Sequence, residues 1–136
     1  MKKDIILPKV ENVAVAVVPE TSPIGETEWS VFLVNLKQKD LTGVLVSSRG
    51  YGENTMTGEQ LKTSMLRHFL DKVEAESFCK IEPISEEVFG LSNEYWVSFY
   101  LDSTMYDKKY IFMAESIKEE NIVNIPVINK MGVMIK

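Results

Sequence analysis

Apolar and polar residues alternate along much of this chain, most clearly over residues 93–114. Tyr95, Val97, Phe99 and Leu101 fall on one face of a strand, and Glu94, Trp96, Ser98, Tyr100 and Asp102 on the other. A period of two in aromatic and β-branched residues predicts a strand rather than a helix. Asp102, Ser103 and Thr104 supply a turn, because their short oxygen-bearing side chains bond nearby backbone. The return strand sets Tyr106, Lys108, Tyr110, Phe112 and Ala114 against Asp107, Lys109, Ile111 and Met113. A hairpin so aromatic needs a second layer over it. Trp29, Tyr95, Trp96 and Tyr100 are therefore expected in the core, and whichever of them face outward could form a binding patch.

The rest of the chain reads as material for that layer. Residues 13–18 are small and apolar on both faces, which predicts a strand covered on both sides. Two prolines and a glycine make residues 19–27 a loop. In residues 29–36, Trp29, Val31 and Leu33 share one face and Phe32, Val34 and Leu36 the other, as in a central strand. The charged residues 37–40 have hairpin length, and residues 41–49 return with Thr42, Val44, Val46 and Ser48 on one side. Residues 50–57 read as a glycine-bearing loop. Residues 78–84 form a strand that Pro83 ends or confines to a sheet edge. Ser85 can cap one helical turn that Gly90 stops. Residues 116–120 are a polar connection, 122–128 an edge strand with Pro126, 129–132 a turn, and 133–135 a last strand.

Local signals conflict over residues 58–73. Leu61, Met65, Phe69 and Val73 recur every four residues behind a Thr57–Gln60 capping box, the pattern of an amphipathic helix. The rival is a strand over 61–70, a turn over 71–77 and the strand over 78–84. Agreement with the surrounding hairpins favours the strand. The expectation is an all-β chain, a single domain over residues 1–136, built as an antiparallel β-sandwich of seven or eight strands. The alternative is an α+β fold with a helix near 58–73. Trp29 to Val46, with Asn35, a short polar turn and Leu41-x-x-Val44-x-Val46, resembles paired strands of immunoglobulin-like or fibronectin-type modules. The resemblance extends over most of the chain but lacks the Cys-Trp-Cys signature. It implies an architecture and transfers no functional residue.

The 136 residues are 45% hydrophobic and 26% charged, with net charge −5, which is globular composition. That charge disfavours a phosphate backbone, so no nucleic-acid partner is expected. Lys2-Lys3, Lys37/Lys39 and Lys108-Lys109 read as solvated strand ends. The lone Cys79 cannot form a disulfide within the chain, which points to a reducing compartment, the cytoplasm. The first residues do not read as a signal peptide, and the apolar run 13–18 is too short to cross a membrane.

No assembled chemistry stands out. The Gly-x-Gly at 50–52 lacks the third glycine of a dinucleotide site, and Lys62-Thr63 lacks the glycine of a phosphate loop. One histidine and one cysteine exclude the common zinc sites. No Gly-x-Ser-x-Gly elbow is present, and no cofactor is implied. His68 with Cys79 is a formal nucleophile pair, and Asp102 with Asp107 a formal carboxylate pair; a small apolar Cys and a solvated turn are the plainer readings. Two functions remain. One is a non-catalytic module that binds a protein partner or itself through its surface and sheet edges. The other is a small enzyme or an anion- or ligand-binding protein whose site joins Arg49, Glu53, Arg67 and His68 at the 50–57 loop.

Overall fold

A computed structural model describes residues 9–136 of the chain; the Lys2-Lys3 pair lies outside them. The described residues form strands β1 (Val13–Thr21), β2 (Thr27–Asn35), β3 (Leu41–Glu53), β4 (Gln60–Lys62), β5 (Leu66–Val73), β6 (Ser77–Ile84), β7 (Ser92–Leu101), β8 (Thr104–Phe112), β9 (Val123–Ile125) and β10 (Lys130–Ile135). Two 3₁₀ turns, Glu86–Val88 and Glu119–Asn121, complete the regular structure. Sheet one has the order β6-β2-β1-β10-β9. Sheet two has the order β4-β3-β7-β8, with β5 on the same flank of β3 as β4. All pairings are antiparallel.

The two sheets share one core, which makes the fold a sandwich. Val13, Val15, Val17, Val31 and Leu33 of sheet one pack with Val44, Val46, Tyr95, Val97, Phe99, Tyr110 and Phe112 of sheet two. The Tyr110 hydroxyl donates to the Val13 carbonyl at 2.9 Å, a hydrogen bond from one layer to the other. Burial pushes that phenol above its ordinary pKa range. The other face of β1 is closed too. Ala14, Ala16 and Val18 are buried with Phe32, Val34, Ile125 and Ile128 in a second, smaller core on the outside of sheet one. The double-sided apolar reading of residues 13–18 and the split faces of residues 29–36 both hold.

The segment with conflicting signals is strand. β4 and β5 run as one interrupted strand along β3, from Glu53 opposite Gln60 to Leu41 opposite Val73. The helical spacing of Leu61, Met65 and Phe69 serves no helix, because all three are exposed. Pairing with β3 overrides a propensity that packs against nothing.

Other expectations need correction. The 37–40 connection is not a hairpin, because β2 lies in sheet one and β3 in sheet two. Buried Asn35 makes that corner: its Nδ2 donates to the carbonyls of Lys39, Val73 and Glu74, and its Oδ1 accepts from the Lys37 N–H. β1 continues through Pro19 to Thr21. Its pairing with β10 covers only Val15, Ala16 and Val17, so that flank is open at Pro19 for a residue without an N–H. β3 continues to Glu53, so the loop shrinks to residues 54–59. Register shifts beside Gly43 (φ 54°) turn Thr42 outward, away from Val44 and Val46. β10 begins at Lys130 rather than at residue 133. Lys108 and Lys109 lie mid-strand in β8, and Lys39 pairs with Asp102 at 2.6 Å. The aromatic set divides: Tyr95 is buried and Trp29 packs on the core, but Trp96 and Tyr100 face outward.

Candidate functional site

Two places concentrate side chains able to act. The first is the margin of the sandwich where β5 of sheet two crosses to β6 of sheet one. A bulge in the β2–β6 pairing sets Val31 opposite Glu82 but Phe32 opposite Lys80, so Ile81 is the extra residue. The bulge shifts the alternation of β6 by one and aims Glu82 into the sandwich. There Glu82 Oε1 accepts from Ser48 Oγ at 2.8 Å and from His68 Nε2 at 2.7 Å. Its Oε2 accepts from the Tyr95 hydroxyl at 3.1 Å. One carboxylate thus ties β6 to β3, β5 and β7. Burial, and then the Glu82 carboxylate, push the Tyr95 phenol well above its ordinary range.

This cluster is held together rather than poised. In a nucleophile–base pair the histidine accepts the hydroxyl proton. Here Ser48 and His68 both spend their hydrogen bonds on the same oxygen of Glu82. Cys79 does not meet His68; its thiol lies against the Lys80 carbonyl, and burial pushes its pKa up, which makes it a poorer nucleophile. A crevice of about 270 Å³ opens beside the cluster, lined by Ser48, Thr63, Glu82, Ile84 and Tyr95 among others.

The second place is the outer face of sheet two. Register places Phe69 beside Leu45, Leu45 beside Ser98, and Tyr100 beside Met105 on that face. Trp96 stands next to them, with Lys109 Nζ 4.6 Å from its ring centroid. Phe69, Leu45, Trp96, Tyr100 and Met105 are 68%, 39%, 45%, 44% and 52% exposed. A groove of about 210 Å³ runs among Leu45, Ser47, Trp96, Ser98, Met105 and Asp107.

The four residues singled out in the sequence separate. Arg49, Glu53 and Arg67 are exposed on the outer side of sheet two, whereas His68 points inward to Glu82. Arg49 donates to Glu94 at 3.0 Å and sits 5.3 Å from the Tyr51 ring centroid. A depression of about 370 Å³ near the 50–57 segment holds Arg49, Tyr51, Gln60, Lys62 and Met65, but not Glu53, Arg67 or His68. Asp102 and Asp107 form no pair, since Asp102 binds Lys39. Glu82 is missed by sequence reasoning because strict alternation from Phe78 sends it outward with Lys80. The buried pair Ile81 and Ile84, three apart, is the one sign that the alternation slips.

Among the described residues no group of three or more His, Cys, Asp or Glu side chains is placed to hold a metal ion, and no helix is long and apolar enough to cross a membrane. No family model, no curated protein and no solved structure matches this chain.

Proposed function

We propose that this chain is a non-catalytic interaction module that binds an apolar, acid-flanked segment of a partner protein across the outer face of sheet two. The observation that carries the reading is the cluster of Leu45, Phe69, Trp96, Tyr100 and Met105, large apolar side chains exposed together on an ordered strand surface. Monomeric surfaces tolerate such residues singly, while a contiguous group marks a contact site. Aromatic and methionine side chains are the ones enriched where partners dock. The groove, at about 210 Å³, is smaller than the ~300–1,000 Å³ of small-molecule sites and fits one anchoring side chain. Arg67 and Lys109 flank the cluster on a protein whose net charge is −5, which supports a partner with acidic residues beside its anchor.

The immunoglobulin-like type and a cytoplasmic address belong to the same proposal. Hairpin-linked antiparallel strands in two sheets support the first, and the free thiol of Cys79 supports the second. The rival reading, a ligand or anion site at the 50–57 segment, loses support because His68 turns away from Arg49 and Arg67 and bonds an acid.

Selection from a random peptide library tests the reading. Enriched peptides are expected to combine an aromatic or leucine anchor with Asp or Glu, and to lose binding to the Phe69→Ala and Arg67→Glu variants. Failure to enrich any peptide, or binders indifferent to both substitutions, overturns it.

A further inference from the structure

An exposed strand edge offers a row of unpaired backbone donors and acceptors, and folded proteins usually disarm such edges. Among the described residues, three of the four sheet edges are disarmed. The β4/β5 edge is interrupted between Lys62 and Leu66, and its pairing with β3 is irregular near Val44. The β6 edge carries the Ile81 bulge and Pro83. The β9 edge is only three residues long. β8 differs from all of them. It pairs with β7 through nine consecutive residues without a register shift, and among the described residues nothing pairs with its other side.

Edge lysines ordinarily guard such a strand, and in β8 both are engaged with aromatic rings of their own chain. Lys108 Nζ lies 5.1 Å from the Tyr110 ring centroid and Lys109 Nζ 4.6 Å from that of Trp96. Lys109 is thus drawn toward β7, while Lys108 lies along β8 itself.

We infer that the β8 edge pairs antiparallel with β8 of a second copy of this chain, about a two-fold axis at Lys108. In a two-fold antiparallel pair, facing residues must lie on the same side of the sheet. That leaves registers displaced by two residues, and the register centred on Lys108 overlaps all nine positions. It sets Asp107 against Lys109 of the second copy twice, once on each side of the axis. It also sets Tyr106 against Tyr110, Met105 against Ile111 and Thr104 against Phe112. Centring on Asp107 or Lys109 instead puts like charges at the axis and removes the opposite-charge pairs. The register on Lys108 has its own like pair, Lys108 with Lys108, but each of these ammoniums is turned onto its own Tyr110. Sheet two then runs unbroken through the axis, and the two outer faces lie side by side. Asp107 lines the groove and Lys109 flanks the apolar cluster, so the dimer shares these two side chains with the partner site; sedimentation of the chain alone reads the dimer with no partner present.

A contact of one strand pair is small, so it is reversible and populated at high protein concentration. Sedimentation equilibrium over a concentration series is expected to show the full chain rising from 15.5 kDa toward twice that mass. Asp107→Lys turns two attractive cross-strand pairs repulsive and is expected to weaken the dimer about tenfold or more. The double variant Asp107→Lys/Lys109→Asp restores opposite charges in the same register and is expected to restore the dimer. Circular dichroism checks that each variant keeps its strands. A wild-type chain that stays monomeric at every concentration overturns the inference, and so does a dimer that ignores the charge reversal and its exchange.

Discussion

The two sheets differ in what happens to their outer faces. Sheet one turns Ala14, Ala16, Val18, Phe32 and Val34 outward, and all are buried in a second core with Ile125 and Ile128. Sheet two turns Leu45, Phe69, Trp96, Tyr100 and Met105 outward, and all stay exposed. The apolar pattern alone does not separate these cases, because strands of both sheets read as apolar on two faces. The separation comes from neighbours in space. The end of β9 and the turn to β10 set Ile125 and Ile128 among the outward side chains of β1 and β2, where the alanines of β1 leave room for close packing. No described segment crosses sheet two. Alternation tells which side chains share a face; it does not tell which face receives a cover.

The sharpest break of this comparison uses two adjacent residues of β7. Phe99 is buried in the main core and stacks on Tyr106, with ring centroids 5.5 Å apart. Phe99→Ala should cost about 3–5 kcal/mol through lost burial and the cavity left behind. Tyr100→Ala, one position along on the open face, should stay within about 0.5 kcal/mol. Urea unfolding of both variants gives the contrast directly. Equal losses would mean that the outer face of sheet two is covered after all.

Next in size is a pH effect confined to the inner side. Tyr95 and Tyr110 both have phenols held above their ordinary range by burial. The unfolded chain releases those protons near pH ~10 while the folded chain keeps them. Stability from this source is therefore complete below about pH 10 and falls as pH rises past it, at about 1.4 kcal/mol per pH unit for each tyrosine. Melting temperatures above pH ~10 should fall less steeply in Tyr110→Phe than in wild type.

Much of this arrangement is legible in the sequence, and the failures share one cause. The faces of β7 and β8, the double-sided β1 and the Ser85 cap on the Glu86–Val88 turn all follow from local alternation or a local hydrogen bond. What escapes is set by contacts distant in sequence. Asn35 reads as an ordinary polar residue until Val73 and Glu74 arrive to accept its hydrogen bonds. Glu82 reads as solvated until the bulge against Val31 turns it inward. His68 groups with Arg67 on paper because they are neighbours in sequence, which in a strand guarantees opposite faces.

A smaller effect sharpens the comparison between the two outer faces. Val34 is fully buried in the second core, whereas Leu45 is 39% exposed. Val34→Thr keeps the shape but buries a hydroxyl with no provided partner, at a cost of about 1–2 kcal/mol. Leu45→Thr places the same hydroxyl in water and should change stability by less than about 0.5 kcal/mol. Differential melting of the pair reads this out. A neutral Val34→Thr would show that the second core is wet and not a true lid.

The smallest effect on stability should carry the largest effect on behaviour. Phe69 is the most exposed member of the open cluster, and its β5 position pairs with Leu45 across the sheet. Phe69→Ser removes an aromatic ring that little surrounds, so unfolding free energy should move by less than about 0.5 kcal/mol. The same change breaks the continuity of the patch, and continuity is what makes an apolar surface adhesive. Binding of a fluorescent hydrophobic dye to the native protein should drop, and the concentration at which the protein precipitates should rise. Phe32→Ser, on the closed face, should do the reverse, destabilising the fold and increasing dye binding as the second core opens. If Phe69→Ser leaves dye binding untouched while lowering stability as Phe32→Ser does, the two faces are alike and the reading of sheet two as the contact surface is lost.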